Sequence, residues 1–315
     1  MKRCLLAVAA AAVSAILAAP PPVRAQDLTP RAYLITPVRS NAVNLSYIFN
    51  DGELLFEGTV PITDATGRLS LPALTLYRSL SVFGRSANVT ATLPYGVGNF
   101  EGTAFGAETS VYRSGLMDSV FRFSVNLKGA PAMEMRQMRQ WWQKHLLGAS
   151  LKLVAPTGQY DPTKLINLGS NRWAFKPELG YSGRFGYWIL DAYAAVWFFT
   201  RNPEFFSRNQ YVPGTQDQTQ DPIAAFETHL SYDVKPRLWV SLDGNFWYGG
   251  RTSLNGVENP ATLQKSSRIG VTASFPLFRH QSIKLGFADG AYVRFGGDYK
   301  IASVAWQYSW AGKPK

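Results

Sequence analysis

Arg172-Trp-Ala-Phe-Lys-Pro-Glu-Leu-Gly-Tyr-Ser-Gly-Arg184 sets Trp173, Phe175, Pro177, Leu179 and Tyr181 against Arg172, Lys176, Glu178 and Arg184. Successive side chains of a β-strand point to opposite faces, so this strict period of two predicts a strand with one apolar and one polar side. The same split recurs at 120–128, where Phe121, Phe123, Val125 and Leu127 oppose Arg122, Ser124, Asn126 and Lys128. It recurs at 145–155, where Leu147, Ala149, Leu151 and Leu153 oppose Gly148, Ser150 and Lys152. Similar segments lie at 42–49, 86–95, 188–199, 223–234, 237–248, 265–276, 281–288 and 301–310, and one at 68–82 loses its phase around Leu74. About twelve such segments, most of roughly nine or more residues, match strands that cross a bilayer at a tilt; strands of soluble sheets cluster near five or six.

The connections alternate in length. Tight links are expected near Gly84-Arg85, Arg184-Phe185-Gly186, Lys235-Pro236 and Leu277 to His280, with long polar or Gly/Pro-rich loops near 50–67, 96–114, 157–171, 200–222, 249–263 and 289–300. Short turns on one rim and long loops on the other are the pattern of an outer-membrane barrel, and an even strand number puts both termini on the short-turn rim, in the periplasm. One link breaks the rule, Gly129 to Gln143, which is also the one stretch read as a short helix. Its Met133, Met135 and Met138 could suggest thioether ligands for a soft metal, but Trp141 and Trp142 beside them favour an amphipathic turn at the membrane interface.

Composition agrees with this architecture. Of 315 residues, 46% are hydrophobic and 14% aromatic but only 17% charged, against about a quarter charged in an average soluble domain. Disorder, collagen and a disulfide scaffold are excluded by the aromatic content, by 27 glycines and by a single cysteine. The amino terminus reads as a leader: basic Met1-Lys2-Arg3, an apolar run from Cys4 to Ala19, and Val23-Arg24-Ala25 as a small-x-small cleavage site. Residues 1–25 are therefore expected to be a signal peptide removed on Sec-type export before Gln26, and 26–315 the outer-membrane barrel of a Gram-negative-type bacterium. The formal charge of +11 is spread over single Lys and Arg residues, which argues against nucleic acid. It suits contact with outer-membrane lipids and lipopolysaccharide.

The polar faces define a candidate lumen. Projected inward are Arg122, Lys152, Lys176, Glu178, Asp191, Tyr193, Trp197, Glu227, His229, Arg237, Trp239, Asp243, Arg268 and Lys284, a mixed-charge and aromatic lining for a small-molecule solute. Aromatic rings at segment ends on the apolar face, from Trp173 and Tyr181 to Trp306, Tyr308 and Trp310, are placed for interfacial girdles. The closing segment, Ala302 to Trp310, is similar to the terminal strand that outer-membrane insertion machinery reads, followed here by five further residues.

Catalytic, cofactor and metal residues are not expected. His145, His229 and His280 lie in separate segments without ligand spacing. His229-Leu-Ser231 resembles the His-x-Ser pair of outer-membrane phospholipases, so a lipid-acting hydrolase is one alternative, but the period turns both residues to the lumen, away from acyl chains. A non-conducting structural barrel is another, with the 200–222 loop around Asn202-Pro-Glu-Phe-Phe206 as its candidate plug or lid.

Two longer runs carry a family resemblance. Ser114-Gly-Leu-Met-Asp-Ser-Val-Phe-Arg-Phe-Ser-Val-Asn-Leu-Lys-Gly-Ala-Pro-Ala-Met133 resembles the Gly-Leu-Gly-Asp strand of the outer-membrane family labelled "Putative MetA-pathway of phenol degradation", with Met117 in place of the second glycine. Gly148-Ala-Ser-Leu-Lys-Leu-Val-Ala-Pro-Thr-Gly-Gln-Tyr-Asp-Pro-Thr-Lys-Leu-Ile-Asn-Leu-Gly-Ser-Asn-Arg-Trp-Ala-Phe-Lys-Pro-Glu-Leu-Gly180 is similar to that family's most distinctive run. The resemblance implies a transporter-like β-barrel for aromatic or other hydrophobic compounds, without established catalytic residues.

Overall fold

A computed structural model of the chain describes residues 29–55, 62–104 and 106–312; the expected leader lies outside them. The alternating segments all form strands. In chain order they are β1 (Ser40–Leu55), β2 (Ile62–Val82), β3 (Arg85–Ala104), β4 (Ala107–Leu116), β5 (Ser119–Lys128), β6 (His145–Ala155), β7 (Ala174–Phe185), β8 (Trp188–Phe199), β9 (Gln218–Gln220), β10 (Ile223–Lys235), β11 (Leu238–Gly249), β12 (Thr252–Leu254), β13 (Val257–Asn259), β14 (Gln264–Phe278), β15 (Gln281–Val293) and β16 (Gly296–Ala311). Every pairing is antiparallel.

Around the main sheet the order runs β2-β1-β16-β15-β14-β11-β10-β8-β7-β6-β5-β3, and β3 pairs back onto β2, so the sheet closes. The outer half of β3, Tyr95 to Ala104, pairs with β4, and the inner half, Ala87 to Thr92, with β5. β4 and β5 are thus one barrel strand interrupted at Met117-Asp118, and the closed barrel has twelve strands. Over the twelve-strand section closure leaves no unpaired edge, the condition for crossing hydrocarbon with strands; beyond it β4 continues paired with β3 alone. No helix among the described residues is long and apolar enough to cross a membrane.

The outward row of each strand is apolar where hydrocarbon must be met: Leu45, Leu76, Leu151, Leu179, Leu230, Leu242, Ile269, Val271 and Phe287 all stand exposed. Outward charges such as Arg68, Arg78, Lys265 and Lys300 sit toward strand ends. In water this belt would be an aggregation surface; in a bilayer it matches its solvent. On β16 the rings of Trp306, Tyr308 and Trp310 stack along the outer face, with centroids 6.4 and 5.8 Å apart.

Both rims differ in detail from the expected loops. On the short-turn rim, links of two residues join β2 to β3, β7 to β8, β10 to β11 and β14 to β15, and Gly84 and Gly186 take the positive φ that such turns require. On the opposite rim, the expected loops at 50–67, 96–114 and 289–300 are largely strand. β2 and β3 run 21 and 20 residues, and the hairpins continue past the hydrocarbon, where no apolar outer face is needed. Leu74 and Leu76 face outward while Leu69 and Leu71 face inward, which explains the lost phase of this segment. The inward pair joins Leu54, Phe100, Leu168 and Tyr299 in an apolar cluster inside the barrel.

Two further pieces of chain enter the lumen. From the short-turn rim, residues 29–39 run inside the barrel ahead of β1. The long link of that rim, with its single helical turn Met135–Met138, grips them: Val38 N–H donates to the Met133 carbonyl at 2.9 Å, and Ile35 packs with Ala130, Met133 and Leu146. Met133, Met138 and Trp141 of this link are therefore packing groups against the amino-terminal segment, while Met135 and Trp142 stand exposed. From the loop rim, the β6–β7 connection folds inward and brings Leu168 into the apolar cluster.

Candidate functional site

The lumen falls into three levels. At the waist, Tyr33 of the amino-terminal segment is 1% exposed. It lies against β6 and β7 where both carry glycine. A Cβ on Gly148 or Gly180 would come within 2.2 or 2.0 Å of the Tyr33 ring, so no larger residue fits at either position with the ring in place. The Tyr33 hydroxyl donates to Glu178 Oε1 at 2.8 Å, its ring meets Tyr193 edge-on at 5.3 Å, and Arg122 lies over its other side at 5.1 Å. Burial beside Glu178 pushes the Tyr33 phenol well above its ordinary range, so it stays a donor. The backbone of the segment is also held: Arg31 N–H donates to Asp191 at 2.9 Å, Ala32 N–H to the Tyr193 hydroxyl at 3.1 Å, and Asn126 donates to the Tyr33 carbonyl at 3.3 Å.

Around this plug the charges neutralise one another. Lys176 Nζ lies 2.7 Å from Glu227 and 3.2 Å from Glu178, and Arg122 lies 3.2 Å from Glu178. His229 Nδ1 is 2.8 Å from Asp243, whose carboxylate also accepts from the hydroxyls of Ser241 and Thr272, both at 2.6 Å. Lys152 and Lys176 sit over Trp197 at 5.9 and 5.7 Å, and Arg268 over Trp247 at 5.7 Å. Buried charges persist only when paired or hydrogen-bonded. Asp191, His229 and Asp243 are at most 1% exposed, so the waist is packed and not water-filled.

Above the waist the lining turns apolar, with Ile166 and Met117 beside the Leu54, Leu69, Leu71, Phe100, Leu168 and Tyr299 cluster. Asp118, in the break between β4 and β5, fixes the inward loop: its carboxylate accepts from Gly158 N–H at 3.0 Å, Ser170 N–H at 2.9 Å and the Ser170 hydroxyl at 2.5 Å. Gly158 and Gly169 pass so closely that a Cβ on Gly158 would lie 2.7 Å from Gly169 Cα. The two runs that carry the family resemblance therefore meet in space, one supplying the acceptor and the other the loop. Beyond them the 200–222 loop caps the rim. Phe205 and Phe206 pack on Val212 and Leu254, and the small sheet of β9, β12 and β13 joins this loop to the β11–β14 connection.

Below the waist, a chamber of about 1170 Å³ opens toward the short-turn rim. Its walls include Arg31, Trp142, Arg184, Tyr232, Trp239 and Lys284. Arg31 and Arg184 share Asp233, at 2.7 and 2.6 Å. Of the residues projected inward, Arg237 departs from its expected place. It stands exposed at the chamber's rim in a two-residue turn, at φ 69°, and its guanidinium donates to the carbonyls of Phe278, Arg279 and Gln281. A turn residue has no fixed face, so strand alternation misplaces it.

The hydrolase pair has no catalytic geometry. Ser231 Oγ and His229 Nε2 are buried without hydrogen-bond partners among the described residues, and no Ser231–His229 bond is there to activate a nucleophile. Both face the lumen, while Leu230 between them faces the lipid side.

The profile of the family described as "Putative MetA-pathway of phenol degradation" matches residues 42–299. Among solved structures, the crystal structure of an outer membrane channel from Pseudomonas putida F1 is similar at 17% identity and a TM-score of 0.73, covering 90% of this chain and all of that one. The β-domain of the Bordetella autotransporter BrkA follows at 12% identity and a TM-score of 0.51, covering 86% of this chain and all of that one. No curated protein matches in sequence.

Proposed function

We propose that this chain, which belongs to that family and folds as an outer-membrane β-barrel, passes small aromatic or other hydrophobic compounds across the outer membrane. The observation that carries the reading is the order of linings along the lumen. A solute entering from the long-loop rim meets the apolar cluster of Leu69, Leu71, Phe100, Ile166, Leu168 and Tyr299 before the waist. A general porin offers polar walls and water there; an apolar throat favours solutes that gain by leaving water. At the waist the inward segment at Tyr33 is the obstacle, so passage requires it to shift; Lys176, Glu178, Glu227 and Arg122, paired among themselves, stay compensated when it does, while Asp191 gives up the Arg31 N–H.

The supporting expectations belong to the same reading: the leader directs Sec-type export, the short-turn rim faces the periplasm, the basic surface meets lipopolysaccharide and lipid, and β16 is read by the insertion machinery. Purified protein in planar bilayers or swelling liposomes should conduct ions weakly and admit small solutes. Silence with every solute class would overturn passage in favour of a structural barrel.

A further inference from the structure

The chamber below the waist contains charge that no described residue neutralises. Arg31 uses one terminal nitrogen, Nη1, for Asp233. Its Nε and Nη2 are buried and bond to nothing among the described residues. Those two nitrogens form one edge of the guanidinium, with parallel N–H bonds spaced to take both oxygens of a carboxylate. Orphaned buried donors are rare, and this pair forms a fork.

A second cation stands at the same place. Lys284, on β15, makes no hydrogen bond or ion pair among the described residues; its Nζ lies 5.8 Å from the centre of the Trp239 ring, and Arg31 Cζ lies 4.4 Å from it. The strand neighbours of Lys284 are Ser274 and Ala305, small residues that leave room in front of the ammonium. The one chamber carboxylate among the described residues, Asp233, is already shared by Arg31 and Arg184. Two cations on one indole, beside Tyr232 and Trp142, describe an anion site with an aromatic wall.

We propose that the chamber binds a small aromatic carboxylate, its carboxylate between the Nε/Nη2 edge of Arg31 and the Lys284 ammonium and its ring against the Trp239 side of the wall. This goes beyond the passage of hydrophobic compounds by naming a charged class and a site on the short-turn side of the waist. It rests on that reading only for its biological purpose, since binding is measurable without transport.

The probe is benzoate, with benzyl alcohol as the neutral ring and acetate as the anion without one, titrated calorimetrically into the purified protein in detergent. Benzoate should bind at least tenfold more tightly than either. Lys284→Met, whose folding is checked by the heat-dependent gel shift of barrels, should weaken benzoate at least tenfold and leave benzyl alcohol unchanged. Trp239→Leu, a second variant on a different strand, should weaken both benzoate and benzyl alcohol. Equal binding of benzoate and benzyl alcohol, or benzoate binding indifferent to both variants, overturns the site. Asp27 is a carboxylate of the chain itself four residues before Arg31, so Asp27→Asn is the control: benzoate binding that appears only in this variant would assign the fork to the chain's own acid and overturn the proposal. Transport failing while benzoate binds would refute passage alone.

Discussion

Gly180→Ala should open the barrel without harming it. Gly180 is an inward residue of β7 with ordinary extended backbone, so alanine is compatible with the strand, and the substitution adds one methyl group. That methyl would lie 2.0 Å from the Tyr33 ring, well inside contact distance, so the ring must leave. A buried aromatic side chain removes about 150–250 Å² from water, worth about 4–6 kcal/mol at about 25 cal/mol per Å². The hydrogen bond from Tyr33 to charged Glu178 adds about 1.5–3 kcal/mol. Offsetting these, the released segment regains conformational freedom, and the net loss of docking should fall near the 3–5 kcal/mol typical of deleting a buried aromatic. At 1.4 kcal/mol per tenfold, the undocked population of residues 29–39 rises by about two to three and a half orders of magnitude. The assay is paired: single-channel conductance in planar bilayers and amide exchange of Arg31 to Val38. The variant should show higher and noisier conductance together with lost protection of that segment, at unchanged heat-dependent gel mobility. Unchanged conductance and unchanged protection would refute the reasoning that Tyr33 is the latch.

Other perturbations separate the faces and loops. Leu230→Arg puts a charge on the lipid face of β10 and should cost about 2–4 kcal/mol, whereas Ser231→Ala, next to it and buried without a partner, should be neutral; urea unfolding in lipid vesicles compares them, and equal effects would contradict the face assignment. Asp118→Ala leaves the Gly158 and Ser170 amides without their acceptor and should destabilise the inward loop locally by about 2–4 kcal/mol, read as amide exchange confined to residues 156–172. In the same loop, Asp161 is held at about 2, below its ordinary 3.8, by the Thr163 hydroxyl and by Lys164. Its depressed value makes the ionised form the stabilising one, so that contribution is complete above about pH 4 and fades as pH falls toward 2. The loop around Thr163 should exchange faster at pH 2 than at pH 5, and Asp161→Asn should abolish the difference.

The barrel itself was legible because hydrocarbon on one side and a polar interior on the other impose the period of two on every crossing strand. Two segments, 145–155 and 188–199, have those very bounds in the structure. Legibility failed where that contrast ends. Beyond the bilayer, Gly96, Gly98 and Gly102 look like loop punctuation, yet they pair in the extended β3 hairpin. Inside the long-loop half, Leu69 and Leu71 meet a folded-in loop and not water, so their apolar character points to the wrong face. The site was read unevenly for the same reason. Lys176, Glu178, Glu227, His229 and Asp243 lie on regular strands and were placed by alternation, but Arg237 lies in a turn. The plug was missed entirely. Thr29-Pro-Arg-Ala-Tyr-Leu-Ile-Thr-Pro37 has no periodicity, and its anchors are on remote strands. The signal available was the pair of inward glycines, Gly148 and Gly180, directly opposite each other in the β6–β7 register, where an empty strip of wall implies something laid against it.

Passage itself is tested most directly in intact cells. The initial rate of uptake of a radiolabelled apolar aromatic solute, at a concentration where the outer membrane limits entry, should be compared with that of a sugar of similar size. This is done with the chain present, absent and carrying Gly180→Ala. Aromatic uptake should be faster when the chain is present and rise further with Gly180→Ala, with little change for the sugar with the unsubstituted chain. Aromatic uptake indifferent to the chain's presence, or sugar uptake raised as much as aromatic uptake, would contradict the proposed passage.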